Sequence, residues 1–295
     1  MKKFIILIPL FNDWKSVSKL LNEIDLQVHS WDADVSIVIV NDASTEEKPN
    51  FKINFKKVKL LKILNMKINR VHQRCIAAGL KYICENENFD RVIVMDADGE
   101  DRPEELNHFF NKAKQNPNMT ITGNRFKRSE GIIFKILYEV HKLLTLIFTG
   151  KLIKFGNFTC LPKEHVQLLI TKPYLWNSYS SSIVKAINER VFIPSTRGSR
   201  YVLPSKMNFF GLIFHSLTII SVFRNIVIIR SIIIFSIYLF LISGNISMFT
   251  FLPILFLFFF IFFILKISMR SNKEDLNKSL DNIDSVDVLD SSNSR

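Results

Sequence analysis

Two long apolar segments near the C-terminal end limit what this chain can fold into more strongly than any other feature of its sequence. They cover residues 226–243 and 246–267, and each is close to the roughly 20 residues that a helix needs to cross a bilayer. Arg230 is the only charged residue in the first segment, and the second consists mainly of Phe, Leu and Ile. A helix this apolar has no polar face for water, which disfavours the alternative of two buried core helices. We therefore predict a transmembrane helical hairpin with a turn at Gly244 and Asn245.

Basic residues flank both ends of this predicted hairpin. Arg224 and Arg230 lie at its start, and Lys266, Arg270 and Lys273 lie at its end. Because cytoplasmic loops are enriched in Lys and Arg, we expect a multi-pass membrane protein with two helices and with both termini in the cytoplasm. The formal net charge of +12 also suits anionic lipid or a phosphate-bearing substrate. We expect no nucleic-acid partner.

The first part of the chain alternates between strand-like and helix-like segments. Short apolar runs end in polar clusters, and the segments between them have apolar residues at helical spacing. The predicted strands are residues 4–8, 35–40, 58–64, 91–95 and 119–123, and the predicted helices are residues 16–24, 74–84, 103–114 and 131–149. Alternation of this kind predicts an α/β domain with a mostly parallel sheet and flanking helices. The three cysteines form no CxxC pair, so we expect neither a disulfide framework nor a zinc site.

These patterns divide the chain into three parts. Residues 1–224 form the predicted cytoplasmic domain, and residues 225–268 form the hairpin. Residues 269–295 are rich in Ser, Asn and Asp, and we predict a disordered polar tail there. Residues 209–222 have the pattern of an amphipathic helix at a membrane surface, although a core helix fits them equally well.

Polar clusters follow three of the predicted strands, at residues 9–13, 41–44 and 96–101. Ligands of open parallel sheets bind beyond the carboxyl ends of the strands, so these clusters are candidates for one binding site. Asn41, Asp42 and Ser44 could bind a base or a ribose hydroxyl. The same three residue types are also common in ordinary turns, which is the alternative for this cluster taken alone.

The third cluster is strongly acidic. Residues 92–102 read VIVMDADGEDR, and four acids, Asp96, Asp98, Glu100 and Asp101, occur within six positions. Carboxylates this close repel one another unless solvent or a cation relieves the repulsion. A hard divalent cation that also ligates phosphate oxygens is the natural partner, and a solvated acidic loop is the alternative. The signature of a P-loop and the strand–GxGxxG fingerprint are both absent from the sequence, which disfavours those nucleotide-binding classes.

Several short motifs together resemble family 2 glycosyltransferases of the GT-A fold. The similarity is to the branch that includes dolichyl-phosphate mannose synthase and bacterial polyprenyl-phosphate glycosyltransferases, and it covers about residues 3–224. The matching motifs are IPLFN at 8–12, VNDAS at 40–44, HQRCIAAGL at 72–80, MDADGEDRPEEL at 95–106, GNR at 123–125, GNF at 156–158 and SKM at 205–207. The block around DADGEDRP is the most specific of them.

The resemblance implies a role for each matching residue. Pro9, Asn12 and Asp42 would bind the nucleotide sugar, as would Asp96, which would contact the nucleotide. Asp98 would bind Mg²⁺ or Mn²⁺, with Glu100 where relatives often have a metal-holding Gln, and Arg125 would clamp a phosphate. Asp96, Asp98 and Arg125 are the implied catalytic residues. Candidates for a second, acceptor-phosphate site near the membrane are Arg128, Arg197, Arg200 and Lys206.

Three departures from the family pattern bear on the donor. Asn41 stands where relatives carry an acid, Asp13 stands where they carry Glu, and residues 69–72 read NRVH where Asn-x-Gly is common. The resemblance implies a metal-dependent, inverting transfer of a sugar from a UDP- or GDP-linked donor to a membrane-associated acceptor, with polyprenyl phosphate favoured. The alternatives are transfer to a glycan hydroxyl, a membrane-bound nucleotidyl- or phosphotransferase, and a catalytically degenerate scaffold. The hairpin would also allow a homo-oligomer.

Overall fold

A computed structural model describes residues 1–51, 55–127, 132–202 and 209–290, with no side-chain description for residues 126–127 and 132–136. Arg128 and Lys206, two of the predicted acceptor-phosphate residues, lie outside the described residues, as does the motif at 205–207. The described residues form, in chain order, β1 Lys2–Leu10, α1 Trp14–Val28, β2 Ala33–Asn41, β3 Val58–Met66, α2 His72–Asn86, β4 Arg91–Val94, α3 Leu106–Gln115, β5 Thr120–Lys127, α4 Ile132–Thr149, β6 Phe155–Pro162, α5 Lys163–Ile170, α6 Tyr179–Ala186, β7 Arg190–Thr196, α7 Phe209–Ser221, α8 Arg224–Ile242, α9 Phe251–Ser268, α10 Lys273–Asn277 and β8 Ile283–Asp290.

The strands form one mixed, mostly parallel sheet in the order β7-β5-β6-β4-β1-β2-β3-β8. Strands β4, β1, β2 and β3 are mutually parallel, and β7 is parallel to β5. Strand β6 is antiparallel to both β4 and β5, and β8 is antiparallel to β3. The parallel strands all end at one edge of the sheet, which confirms the predicted α/β class and brings the polar clusters of the sequence together.

Helices cover both faces of the sheet because successive side chains of a buried strand point to opposite faces. From β1, Phe4, Ile6 and Ile8 belong to one core cluster, together with residues of α1 and α3. Ile5 and Leu7 belong to a second cluster, together with residues of α2, α5 and α6. Strand β1 is therefore apolar from Phe4 to Leu10, as expected for a strand that is buried on both faces.

The two apolar segments form helices α8 and α9, which are long and apolar enough to cross a membrane. Both expose most of their apolar side chains, so they are not core helices of the α/β domain. A third cluster of buried residues joins the base of this hairpin to α4 and α7. Phe148 of α4 packs against Phe260 of α9 with ring centroids 4.3 Å apart.

Helices α4 and α7 add further exposed apolar surface beside the hairpin. Arg230 of α8 donates a hydrogen bond to the carbonyl oxygen of Ile147 at 2.9 Å, near the C-terminal end of α4. On α4 the exposed side chains include Val140, Leu143, Leu146 and Ile147, and on α7 they are Phe209, Phe210, Ile213 and Phe214. We call these exposed side chains the collar. The buried residues of α7, Thr218–Ser221, are consecutive and lie at its C-terminal end, so burial distinguishes the two ends of this helix and not two faces. The amphipathic character expected for residues 209–222 stays a prediction.

The prediction of a disordered tail is wrong for residues 273–290. After the hairpin the chain forms α10 and then β8, which pairs antiparallel with β3 from Leu60↔Asp290 to Met66↔Ile283. Lys48 forms a salt bridge with Asp287 at 2.6 Å, and Leu276 of α10 is fully buried. The composition of residues 269–295 suggested disorder because Ser, Asn and Asp predominate there, although four of the eight residues of β8 are apolar.

A candidate active site at the carboxyl end of the sheet

The loops after β1 and β2 are tied together by Asn12. Its side-chain oxygen accepts a hydrogen bond from the backbone N–H of Thr45 at 2.8 Å, and its own N–H donates to Ser44 Oγ at 2.9 Å. Asn12 has a φ of 50° and Ala43 a φ of 54°, values that are uncommon for residues other than glycine. Asn12 therefore shapes the rim of the site, and the role in nucleotide binding that the resemblance implies for it stays a prediction.

Asp42 is buried and uses its carboxylate to hold the turn before α2. It accepts hydrogen bonds from the backbone N–H groups of Arg70 at 2.7 Å and Val71 at 2.9 Å. Beside it lies a cleft of about 270 Å³ lined by Pro9, Leu10, Phe11, Asp42, Asn69, Val71, His72 and Cys75. The two residues predicted to line a nucleotide pocket, Pro9 and Asp42, thus share one cleft at the predicted edge of the sheet.

Asp96, at the end of β4, is held by two polar side chains. His72 Nε2 lies 3.0 Å from Asp96 Oδ1, and Asn157 Nδ2 donates to the same oxygen at 3.0 Å. Burial alone would raise the pKa of Asp96, but the charge and hydrogen bond of His72, with help from Asn157 and Arg125, hold that pKa well below its usual range. Burial would likewise lower the pKa of His72, and Asp96 raises it. The two side chains therefore form an ion pair inside the site.

Asp101 and Arg125 form a second pair beneath the first. Asp101 is buried and accepts a hydrogen bond from the backbone N–H of Asp96 at 3.0 Å, and Arg125 Nη2 lies 3.6 Å from its other oxygen. Burial and the nearby charge of Asp96 raise the pKa of Asp101 to about 8, against the opposing effect of Arg125. The guanidinium of Arg125 passes close to Gly156, where a Cβ would lie 2.8 Å from Nη2. A side chain at that position would displace the arginine.

Asp98 and Glu100 are both engaged by arginines that follow β7. Arg200 Nη2 lies 2.7 Å from Asp98 Oδ2, and Arg200 Nε donates to Glu100 Oε1 at 3.1 Å. Arg197 Nε donates to the other oxygen of Glu100 at 2.8 Å. Burial and the charges of Asp96 and Glu100 raise the pKa of Asp98 to about 6.

Residues 196–201 lie against the acidic loop by backbone contacts as well, and we call them the 196–201 segment. The N–H of Gly198 donates to Glu100 O and the N–H of Tyr201 donates to Asp98 O, each at 2.9 Å. Gly99 has a φ of 85°, and the Tyr201 ring covers it so closely that a Cβ there would meet ring carbons at 2.6–2.8 Å. The contact explains why glycine is required at position 99.

The predicted site residues are brought together, but two of them are in unexpected places. Pro9, Asp42, Asp96, Asp98 and Arg125 share the edge of the sheet, as expected. Arg197 and Arg200 were predicted for a second anionic site near the membrane; they are ion-paired with the acidic loop instead, because the 196–201 segment lies on it. Glu100, predicted as a metal ligand, is their common partner.

Three further residues belong to the site: His72 and Asn157 were not predicted for it, and Asp101 was counted in the acidic cluster without a role of its own. His72 and Asn157 hold Asp96, and Asp101 holds both Arg125 and the backbone of Asp96. His72 begins the HQRCIAAGL motif and Asn157 is the centre of GNF, so each stood inside a segment that the resemblance had marked. Their pairing with Asp96 depends on side-chain geometry across three elements, which the sequence does not contain.

The acidic loop fits a divalent cation only if a bound substrate supplies further oxygen ligands to the ion. In the described part of the chain no three His, Cys, Asp or Glu side chains are grouped so that they could hold a metal ion. Mg²⁺, however, is commonly held by one or two carboxylates together with substrate phosphates. Asp98, whose side chain is 13% exposed, contacts Arg200 at 2.7 Å, so a cation could bind its carboxylate only after Arg200 moves away from it.

The site lies close to the collar. His215 of α7 is surrounded by low-dielectric protein and by the positive charges of His141, His72 and Arg125, and its pKa falls to about 4, with burial as the largest cause. Asp96 acts on the same imidazole in the opposite direction. Strand β6, whose Asn157 holds Asp96, also packs through Phe155 against the buried cluster that contains Ile219 and Ile220 of α7, whereas Phe210 at the other end of α7 is 77% exposed.

Comparison with known proteins gives consistent results. The family model described as Glycosyl transferase family 2 matches residues 5–167, more than half of the chain. Among curated proteins, the undecaprenyl-phosphate 4-deoxy-4-formamido-L-arabinose transferase of Klebsiella pneumoniae strain 342 is 23% identical over 218 residues, which is 72% of this chain and 64% of that protein. The protein of the same name from Salmonella choleraesuis strain SC-B67 is 23% identical over 57% of this chain and 50% of its own length. The chain thus spans between half and just under two thirds of these relatives.

Solved structures share the fold. Glucosyl-3-phosphoglycerate synthase from Mycobacterium tuberculosis, in complex with Mn²⁺, uridine-diphosphate-glucose and phosphoglyceric acid, superposes with a TM-score of 0.55 at 12% identity, over 77% of this chain and 80% of that one. Mannosyl-3-phosphoglycerate synthase from Rubrobacter xylanophilus gives a TM-score of 0.53 at 12% identity, over 75% and 72% of the two chains. At this identity the likeness concerns the GT-A fold alone.

Proposed function

This chain belongs to glycosyl transferase family 2, and from that membership we propose that it transfers a sugar from a nucleotide-diphosphate donor to a polyprenyl phosphate at the membrane. One observation carries the proposal: strand β6, whose Asn157 holds Asp96 of the acidic loop, packs through Phe155 against the cluster that joins α4 and α7 to a hairpin able to enter the bilayer.

A nucleotide-sugar donor is supported by the site itself. The cleft beside Pro9 and Asp42 offers room for part of a nucleoside, and Asp96, Asp98 and Arg125 lie at the same edge of the sheet. The structural neighbour from M. tuberculosis was crystallised with a uridine-diphosphate sugar and Mn²⁺. By analogy we infer a UDP- or GDP-linked donor bound with Mg²⁺ or Mn²⁺, with Asp98 as the protein ligand of the ion.

A lipid-linked acceptor is supported by the surroundings of the site. The curated relatives are named for undecaprenyl phosphate. Helix α7, which shares a buried cluster with Phe155 of β6, exposes Phe209, Phe210 and Phe214. An acceptor whose phosphate lies at the headgroup level and whose chain stays in the bilayer could reach such a site without leaving the membrane.

The proposed reaction is a single displacement that inverts the anomeric carbon. An oxygen of the acceptor phosphate forms a bond to C1 of the sugar, the bond from C1 to the donor's β-phosphate oxygen breaks, and the nucleoside diphosphate leaves with that electron pair. The acceptor is already anionic, so no side chain has to remove a proton from it. A bound Mg²⁺ or Mn²⁺ would supply positive charge to the leaving diphosphate.

The chain's own residues would orient and stabilise the reacting groups. Arg125 is fixed by Asp101 and the small Gly156, so its guanidinium is preorganised for a phosphate oxygen. His72 and Asn157 keep the Asp96 carboxylate in one orientation. Such preorganised charge is usually the largest contribution to this type of catalysis.

The membrane arrangement follows from the same proposal. We infer that α8 and α9 cross the bilayer as a hairpin, with the α/β domain of residues 1–224 and both termini on the cytoplasmic side. The returning chain supports the last point, because β8 adds to the same sheet as β1 and so lies on the same side of the membrane.

The test is a reconstituted transfer assay. The full chain is purified in detergent and given radiolabelled UDP- and GDP-sugars with polyprenyl phosphate, in Mn²⁺ or in EDTA, and the lipid product is identified by mass spectrometry. We expect a glycosyl-phosphoryl lipid and release of a nucleoside diphosphate, with loss of activity in EDTA and in Asp98→Ala. Activity that survives both treatments would contradict the role of the acidic loop, and release of a nucleoside monophosphate would indicate nucleotidyl transfer instead.

A further inference from the structure

Glu100 has a position in the structure that does not suit a metal ligand. Its side chain is 13% exposed, and both of its carboxylate oxygens accept hydrogen bonds from guanidinium groups, Oε2 from Arg197 and Oε1 from Arg200. A cation at Glu100 would have to displace two charge-assisted hydrogen bonds, which are among the stronger ones in proteins. Among the residues that the structure describes, Asp98 in contrast contacts one arginine, through Nη2 of Arg200.

Arg200 can leave Asp98 without leaving Glu100, because it uses a different nitrogen for each carboxylate. Its Nε donates to Glu100 Oε1, and its Nη2 contacts Asp98 Oδ2. When Asp98 becomes occupied, Nη2 must find a new acceptor while Nε keeps the guanidinium in place. The acceptor nearest to a cation on Asp98 would be an oxygen of the diphosphate that the same cation binds.

We propose that Glu100 is a positioning residue that holds the guanidinium groups of Arg197 and Arg200 side by side. In this position, close to Asp98, the two guanidinium groups bind the diphosphate of the donor. Two guanidinium groups this close repel each other, and the carboxylate between them offsets that repulsion. The backbone hydrogen bonds of Gly198 and Tyr201 to the acidic loop fix the same segment from its other side. This inference rests on the proposed function, since it requires a donor with a diphosphate.

The experiment separates a diphosphate-binding role from a metal-ligating role. Binding of UDP, and of GDP in parallel, is measured by calorimetry on the full chain in detergent, once in Mn²⁺ and once in EDTA. The variants are Glu100→Gln, which nearly keeps the shape of the side chain, Arg200→Gln, and Asp98→Ala. The matched control is Glu104→Gln, an acid of the same loop whose side chain is 54% exposed and contacts Arg102 at 3.4 Å.

We expect Glu100→Gln and Arg200→Gln to weaken nucleotide binding by about tenfold or more, and by the same factor in Mn²⁺ and in EDTA, because each variant loses a charge-assisted hydrogen bond that positions or contacts the diphosphate whether or not the ion is present. Asp98→Ala should weaken binding in Mn²⁺ only, and Glu104→Gln should have no effect. Arg200→Gln keeps the test valid if Glu100→Gln does not fold.

Other outcomes would overturn the inference. A loss for Glu100→Gln that is confined to Mn²⁺, as for Asp98→Ala, would show that Glu100 ligates the ion. Unchanged nucleotide binding together with a raised KM for polyprenyl phosphate would assign the arginines to the acceptor. If the wild-type chain bound neither nucleotide, the proposed function would fail together with the inference; the first two outcomes leave that function intact.

Discussion

Val71 has a backbone conformation that valine rarely adopts. Its φ is 76°, and it lies in the turn that Asp42 holds through the N–H groups of residues 70 and 71. A β-branched residue with this φ is strained, at a cost of roughly 1–3 kcal/mol. The same position is the glycine of the Asn-x-Gly pattern from which residues 69–71 depart. The two hydrogen bonds to Asp42 therefore maintain a turn that the residue itself disfavours.

Replacing Val71 with Gly should stabilise the protein. The change relieves the strain, and since the side chain is 59% exposed it removes little packing. After subtracting the roughly 0.5–1 kcal/mol that glycine loses in backbone entropy, we expect a gain of about 1 kcal/mol. Thermal unfolding in detergent measures it. The same change at Val140, an exposed valine inside α4, should destabilise the helix; a lower melting temperature for Val71→Gly would contradict the argument.

Asp101 should make the stability of the protein depend on pH. Burial and the charge of Asp96 raise its folded-state pKa to about 8, whereas the pKa of an aspartate in an unfolded chain has its ordinary value of 3.8. Between these values the folded state keeps a proton that the unfolded state has lost, so stability is present at low pH and falls as pH rises towards 8.

The variant Asp101→Asn tests this, because asparagine does not titrate and can still accept the hydrogen bond from the N–H of Asp96. We expect the stability of the variant relative to wild type to increase with pH between 5 and 8, by about 1 kcal/mol per pH unit. Unfolding midpoints across this range give the slope. Glu104→Gln, at an exposed acid, should show no such trend, and a flat difference for Asp101→Asn would show that the carboxyl is ionised in the folded protein.

The sequence predicted those parts of the site whose residues are close together in the chain, and it did not predict contacts between distant residues. Asp96, Asp98 and Glu100 follow one strand directly, so a run of acids after an apolar segment was enough to place them at the rim. Arg200 reaches the same loop from about a hundred residues away. Its place depends on how the 196–201 segment lies against that loop, and no pattern of residue types near position 200 specifies this.

Among the secondary-structure elements, β8 is the strand that the composition of its segment did not predict. An edge strand forms backbone hydrogen bonds with one neighbouring strand only. For β8 this neighbour is β3, which lies more than 200 residues earlier in the chain. Asp287 contributes the polar part: it accepts a hydrogen bond from Asn65 at 2.8 Å and pairs with Lys48. Strands β1 to β4 were predictable because burial on both faces makes them apolar, whereas β8 exposes Val286 and Val288 to solvent.

Asp287→Ala should therefore loosen the edge of the sheet. A half-exposed salt bridge and one side-chain hydrogen bond together contribute up to about 1 kcal/mol, so we expect a small fall in the melting temperature. Hydrogen exchange is the sharper measurement, since the amides of β8 and of the outer side of β3 should exchange faster while those of β1 do not change. Asp284→Ala, at an exposed acid of the same strand, is the control. Equal exchange in both variants would contradict a role for Asp287 in docking β8.

At the scale of the whole molecule, the α/β domain and the hairpin were both visible in the sequence, but the way they join was not. An apolar pattern identified α8 and α9 because each lacks a polar face. Helix α4 contains charged residues as well, so its pattern resembled that of an ordinary core helix, and its contacts with the hairpin became apparent only from Phe148 and Arg230. Only the three-dimensional arrangement shows that α4 packs against the hairpin and leaves Val140, Leu143, Leu146 and Ile147 exposed.

The dimensions of the hairpin determine where the collar lies if the hairpin crosses the bilayer. Helix α8 has 19 residues and α9 has 18, so they are about 28 Å and 27 Å long. The hydrocarbon core is about 30 Å thick, so the hairpin has to be inserted almost to its base. Phe148 of α4 packs on Phe260, which is eight residues, or about 12 Å, from the last residue of α9. The C-terminal end of α4 then lies within the membrane as well.

The collar should therefore bind lipid, and charges placed on it should impair transfer to a lipid acceptor. We expect Leu143→Glu and Phe210→Glu to lower kcat/KM for polyprenyl phosphate by about tenfold or more, since a charge at this depth opposes insertion of the helix. Nucleotide binding should be unchanged, because the substituted side chains point away from the site. The matched control is Leu26→Glu, at a residue of α1 that is 67% exposed on the face of the sheet covered by α1 and α3. If the collar variants kept full activity on the lipid acceptor, α4 and α7 would lie in water. The base of the hairpin packs against these two helices, so the hairpin could then enter the bilayer only in part.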